Sequence, residues 1–299
     1  MSQVSPGRRT TATLIGFAAV LMWSLLAFMT AASGRVPPFQ LAAMTFAIGG
    51  SIGAATWVMR RGAIKALKQP AEVWSLGIGG LFGYHALYFM ALRLAPPAEA
   101  ALINYLWPLL IVLFSALLPN ERLRFHHVIG ALIGLAGTIV LITGGGGVVF
   151  ASDYAPGFSA AFVAAFVWAS YSVLSRRFSN VPTDAVVGFC LGTAVLACTC
   201  HLLFEETIWP QGLMQWVAVI GLGVGPVGAA FYAWDYGVKH GDIRVLGASS
   251  YAAPVLSTIV LVAAGYAQAT TSLIVAAALI AGGGLLAARD MIKLRAAKI

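Results

Sequence analysis

Apolar runs of about 20 residues, separated by short polar or charged breaks, follow one another along nearly the whole chain. A helix of that length crosses a bilayer. Ten such runs are legible, at 11–32, 39–59, 73–93, 98–118, 125–143, 157–176, 184–204, 213–236, 243–264 and 270–288. The pattern predicts an all-α membrane protein of ten transmembrane helices. No stretch long enough for a soluble domain is left over, so function is expected within the membrane or at its faces.

The runs also repeat. A shift of 146 residues aligns Gly77 with Gly223, Gly79 with Gly225, Tyr88 with Trp234, Pro108 with Pro254 and Gly137 with Gly283. A shift of 145 aligns Trp23 with Trp168 and Val36-Pro37 with Val181-Pro182. These matches predict two five-helix copies, at 1–143 and 157–299, joined by a linker at 144–156 that begins with Gly144–Gly147. An odd number of crossings per copy turns the second upside down. Inverted repeats recur in transporters, with the substrate near the midplane where the halves meet.

Composition strengthens the reading. The 299 residues are 60% hydrophobic and 9% charged, against about 25% charged in soluble domains. A net charge of +8 invites a nucleic-acid partner, but its distribution argues against one. With the N-terminus in the cytoplasm, 16 of 18 Lys and Arg fall on that side, and only Arg35 and Arg93 lie opposite. That asymmetry predicts cytoplasmic N- and C-termini. The first run is full length and leads into a bundle, so it reads as an uncleaved span rather than a signal peptide. The three cysteines all lie in the seventh run, where Cys198 and Cys200 point apart on a helix. They read as packing residues.

Candidate chemistry begins with NYLWPLL at 104–110, an unusually polar and aromatic stretch for mid-span. Pro108 deprives the carbonyl of residue 104 of its usual donor, and Pro254 does the same to Ser250. A symmetric pair of prolines beside Asn104 and Ser249-Ser250 predicts interrupted helices flanking a polar cavity. In span 3, Tyr84, His85 and Tyr88 share one helix face. A histidine facing lipid is costly, so His85 is expected to face the bundle interior. Trp23, Trp107 and Trp168 lie mid-span, away from the interfaces where tryptophan anchors. A cavity lined by Trp107, Trp168, Tyr84 and Tyr88 would favour an aromatic guest by offset stacking. Each of these residues taken alone is equally compatible with packing. Asp235, about one turn from the end of its span, reads as a solvated helix terminus, and Asp242 as the N-cap of span 9.

Several motifs are set aside. Gly223, Gly225 and Gly228 spell GxGxxG, but inside a span rather than at a strand-to-helix turn. With Gly79/Gly83, Gly130/Gly134 and Gly221/Gly225 they are helix-packing sites. Gly247-Ala248-Ser249 is too short to indicate an intramembrane protease. Neither a Walker A sequence nor a zinc-ligand set is present, so no catalytic activity, cofactor or metal is expected.

Two five-helix halves, each with an early mid-span tryptophan and a closing Gly-rich helix, resemble the EamA-type drug/metabolite transporter superfamily. Within it, ATLIG at 12–16, NYLWP at 104–108, the stretch from Tyr232 to Gly241 and GASSYAAPVLS at 247–257 are most similar to aromatic amino-acid exporters. The resemblance implies a multi-pass protein of the bacterial inner membrane, working by alternating access on Phe, Tyr, Trp and other neutral amino acids. It implies a cavity of Tyr84, His85, Tyr88, Asn104, Tyr105, Trp107, Trp168 and Ser249, to which the proline geometry adds Ser250 as a cavity residue and Pro108 and Pro254 as helix hinges. Asp235 departs from the family pattern, which has asparagine there. Export of aromatic cations and a non-transporting sensor are the competing expectations.

Overall fold

The computed structural model of the chain describes residues 6–60, 62–119, 121–145, 151–265 and 267–296. Gly146 and Gly147 of the expected connecting loop lie outside that set. Among the described residues ten helical stretches are long and apolar enough to span a membrane: Gly7–Ala32, Pro38–Val58, Ala71–Leu94, Pro97–Leu117, Phe125–Thr143, Ser152–Phe178, Thr183–Phe204, Leu213–His240, Ile243–Ala263 and Thr271–Asp290. They are called spans 1 to 10 below. No strand occurs among the described residues.

The packing pairs spans 1 with 8, 3 with 6, 2 with 7, 4 with 9 and 5 with 10. Replacing every span by the one five places along turns this set of pairs into itself. The contacts thus carry the same duplication as the sequence. Small residues allow the closest pairs. Where spans 1 and 8 cross, a Cβ on Gly237 would lie 2.4 Å from Gly16 Cα. Where spans 5 and 10 cross, one on Gly130 would lie 2.5 Å from the Gly283 carbonyl. With little apolar gain between helices in lipid, such backbone approach supplies the dispersion contacts that hold them.

Spans 2 and 7 are also clamped at both ends. Arg60 donates to Asp184 at 2.7 and 3.1 Å. At the opposite face Glu205 accepts the backbone N–H groups of Phe39 and Gln40, both at 3.1 Å, and pairs with Arg93 at 3.1 Å. A carboxylate at those N–H groups satisfies orphan donors and the positive end of the span 2 dipole.

Among the described residues four spans are interrupted in mid-course. Span 1 breaks between Pro6–Trp23 and Leu26–Ala32, span 4 between Pro97–Asn104 and Trp107–Phe114, and span 9 between Ile243–Ser249 and Ala252–Ala263. Span 8 carries a π-helical turn at Gly225–Ala229. The breaks in spans 4 and 9 fall just ahead of Pro108 and Pro254, where a missing N–H and the ring clash are felt. All four irregular spans meet at the centre.

Candidate functional site

Aromatic rings fill that centre. Trp23 lies 5.1 Å from Trp234, 5.7 Å from Trp168, 6.2 Å from Phe231 and 6.3 Å from Trp107, centroid to centroid. Trp107 meets Trp168 and Trp234 edge-on at 6.3 and 6.0 Å. Two indoles are fixed by their N–H groups. Trp23 Nε1 donates to the Pro226 carbonyl at 3.0 Å, an acceptor inside the π-turn, where the regular helical bond pattern is interrupted. Trp234 Nε1 donates to Ser172 Oγ at 3.0 Å. Trp107, Trp168 and Trp234 are buried.

Tyr84, His85, Tyr88 and Tyr105 retain partial exposure. Tyr84 and Tyr88 are stacked, with 6.0 Å between centroids and 14° between planes, and Tyr84 touches Trp168 at 5.3 Å. His85 Nδ1 lies 2.7 Å from the Leu81 carbonyl. A carbonyl only accepts, so the N–H sits on Nδ1. The imidazole packs between Phe46 at 5.1 Å and Phe231 at 6.1 Å. Asn104 Nδ2 donates to Tyr84 Oη at 3.0 Å. Its Oδ1 is buried with no partner among the described residues. A buried amide oxygen left unpaired is costly, so it marks a place where a donor belongs.

The other polar candidates are differently engaged. Ser250 is fully buried, and its hydroxyl donates to the Leu246 carbonyl at 2.7 Å. Its carbonyl, expected to be left free by Pro254, accepts from Ala253 N at 3.0 Å. A 3₁₀-type bond closes the gap that the proline opens, so Ser250 does not present a free carbonyl at the centre. Ser249 is partly exposed and donates to the same Leu246 carbonyl at 3.2 Å.

Asp235 is also not the solvated helix end that the sequence suggests. It is 1% exposed and bonds Lys239, one turn on, at 2.8 Å. Thr183 Oγ1 donates to it at 2.7 Å, and Lys239 donates to the Val181 carbonyl at 3.0 Å. The cavity beside the pair measures about 10 Å³, room for one water. Helical periodicity alone does not register that span 7 begins against this face of span 8.

Beyond the aromatic layer, on the face where spans 1 and 10 carry the termini, five charged side chains close the bundle. Glu121 takes Arg176 at 2.6 Å, Arg9 at 3.0 Å and Arg244 at 3.2 Å. Asp242 takes Arg244 at 2.8 Å and Arg9 at 3.2 Å. It also caps span 9, as the sequence indicates, through the N–H groups of Arg244 and Val245. Burial alone would raise the Asp242 carboxyl. The Arg244 hydrogen bonds, the nearby Arg9 and Arg244 charges and the Val245 N–H outweigh it and hold the pKa down to about 2. A depressed carboxyl stabilises the fold above its ordinary pKa near 3.9, and that contribution disappears as pH falls through the native value. Asp242→Asn keeps the cap but removes the charge. The wild type is expected to melt above this variant at pH 6, and the gap to close as pH falls from about 4 towards 2. Thermal unfolding of the detergent-purified protein across that range checks it.

His126, His127 and Asp290 bring possible ligand atoms within 4.8 Å of one another, a grouping the sequence did not indicate. Arg124 occupies Asp290 at 2.8 Å, and the Arg124 N–H already donates to His127 Nδ1. Arg124 makes this a poor cation site.

Ten spans in two matching sets around an aromatic centre define the class. The chain belongs to the EamA-like transporter family, which it matches over residues 10–143 and again over 155–289. The expected inversion of the second half fits this duplication. The chain is 59% identical to the protein named Aromatic amino acid exporter YddG of Ancylobacter novellus, over 93% of this chain and 97% of that one. It is 26% identical to the YddG exporter of Salmonella typhimurium, over 83% and 86% of the two chains. A crystal structure 59% identical in sequence superposes with a TM-score of 0.89, covering 93% of this chain and 98% of its own.

Proposed function

We propose that this protein is a secondary exporter of Phe, Tyr, Trp and other neutral amino acids, working by alternating access in the bacterial inner membrane with both termini cytoplasmic. The observation that carries the reading is the central site. It holds four tryptophans and the Tyr84–Tyr88 stack, with Tyr84 bonded by Asn104, whose amide oxygen is unpartnered, and no ionised side chain lies among these rings in the described residues. Stacking selects an aromatic guest, and Asn104 Oδ1 offers an acceptor to its ammonium group. His85, Tyr105 and Ser249 complete the proposed lining, with Trp107 and Trp168 as its base. Residues 1–143 and 157–299 are the proposed inverted repeats, with 144–156 as the linker between them. The exporter names of the relatives support the same substrate class.

Labelled Phe efflux from preloaded cells, with unlabelled competitors, tests the reading. Trp and Tyr are expected to compete, Leu to compete more weakly, and a quaternary aromatic cation to have no effect. Stronger competition by the cation than by Trp would favour a cation exporter instead. For topology, a reporter fused after Ile299 is expected to show cytoplasmic activity. Periplasmic phosphatase activity there would reverse the orientation.

Pro108 and Pro254 act as hinges in this scheme. Restoring the missing N–H straightens a helix that must flex as the cavity changes sides. Pro108→Ala and Pro254→Ala are each expected to slow Phe transport while leaving expression and melting temperature near wild type. Wild-type rates in the double variant would reduce both prolines to packing kinks.

A further inference from the structure

The charged layer on the termini-bearing face holds more guanidinium than carboxylate. Arg9, Arg176 and Arg244 converge on Glu121 and Asp242, three cations on two anions. Glu121 lies between spans 4 and 5, in the first half of the chain. Arg176 ends span 6 and Arg244 begins span 9, both in the second half. Arg176 is held to the end of span 8 by the Val238 and Gly241 carbonyls, and span 8 packs on span 1, which carries Arg9. Moving the turn between spans 4 and 5 away from these helices must therefore draw the Glu121 carboxylate off both arginines.

The three arginines would not be left in the same condition. Arg244 keeps a two-point grip on Asp242, Nε to Oδ1 at 3.0 Å and Nη2 to Oδ2 at 2.8 Å. Arg176 holds the Val238 and Gly241 carbonyls through Nη1, both at 2.8 Å, but its Nη2 points to Glu121 at 2.6 Å. Arg9 binds both Glu121 oxygens at 3.0 Å through one nitrogen, and its buried Nε has no partner among the described residues. Loss of Glu121 strips the carboxylate from Arg176 and leaves Arg9 only Asp242. Leaving a partly buried charge unpaired opposes opening.

We propose that Arg9 and Arg176 form a docking site for the substrate's carboxylate at this mouth, and that Glu121 fills it as a tethered stand-in while the face is closed. Guanidinium groups recognise a carboxylate geometrically as well as by charge. An arriving amino acid supplies what Glu121 withdraws, so binding and opening favour each other. The site is separate from the aromatic centre, since Trp168 lies eight residues up the same helix from Arg176, roughly 12 Å away. Amino acids would thus be preferred over the corresponding amines without a fixed cation among the central rings. The inference rests on the exporter reading above.

The test uses everted membrane vesicles, which on that reading expose this face, and labelled Phe. Arg176→Lys keeps the charge and loses the planar fork. Its KM is expected to rise roughly tenfold, the cost of about one charge-assisted contact. Glu121→Gln removes the competing carboxylate, so its KM should fall or stay level. Opposite movements would not follow from a network that only holds the fold. A KM within twofold of wild type for Arg176→Lys, or an equal rise in both variants, overturns the proposal. Should Arg176→Lys fail to accumulate, Arg9→Lys is measured in the same way and judged by the same outcomes. Wild-type vesicles that take up no more Phe than protein-free vesicles would instead refute the exporter reading itself.

Discussion

Lys239→Met is expected to abolish folded protein, and Asp235→Asn combined with Lys239→Met to restore most of it. The two charges sit at 2.8 Å with side chains 1% and 3% exposed. Removing one partner strands the other in the protein interior, a loss of about 3–5 kcal/mol. Replacing both with neutral groups of similar size is close to neutral, because the desolvation of two ions is removed along with their attraction. Asparagine still accepts from Thr183, so one bond of the cluster survives. Size-exclusion profiles and melting temperatures of detergent extracts decide the matter. A stable single variant would mean that the pair is not closed off from water as its burial indicates.

Tyr88→Leu is expected to lower the preference for Phe over Leu by roughly two- to tenfold, from an aromatic pair term of about 0.5–1.5 kcal/mol. Tyr88 is the cleaner probe because it is partly exposed and stacks on one neighbour, Tyr84. Trp107→Ala should shift the same ratio, but Trp107 is 5% exposed and meets three other indoles edge-on. Its removal leaves a cavity worth about 3–5 kcal/mol of stability, so lower expression is expected with it. The ratio of apparent affinities at matched protein level separates the two effects. An unchanged ratio in both variants would assign these rings to packing alone.

The spans were legible because a 20-residue apolar run has few alternatives, and the breaks in spans 4 and 9 because proline acts locally. The repeat placed Trp23 opposite Trp168 and Trp234 opposite Tyr88, so it pointed to two indoles that the candidate cavity omitted. Phe46 and Phe231 carried no such signal, since phenylalanine in a span looks the same facing lipid or facing a site. The closing network was hidden for another reason. Arg9, Glu121, Arg176 and Arg244 each sit near a span end, where isolated charges are ordinary, and only the packing of spans 1, 6 and 9 brings them together. Asp235 is misread on the same ground, as a helix end whose exposure depends on a neighbour that sequence spacing does not reveal. The Ser250 carbonyl differs again, because a local 3₁₀ bond from Ala253 reclaims what the proline frees.

Counterflow of labelled Phe in proteoliposomes holding the purified protein, with no pH gradient, reads export of aromatic amino acids by this chain alone. Transient accumulation driven by unlabelled Phe, Tyr or Trp inside is expected, with weaker accumulation for Leu and none in protein-free vesicles. Equal accumulation with and without the protein would contradict it.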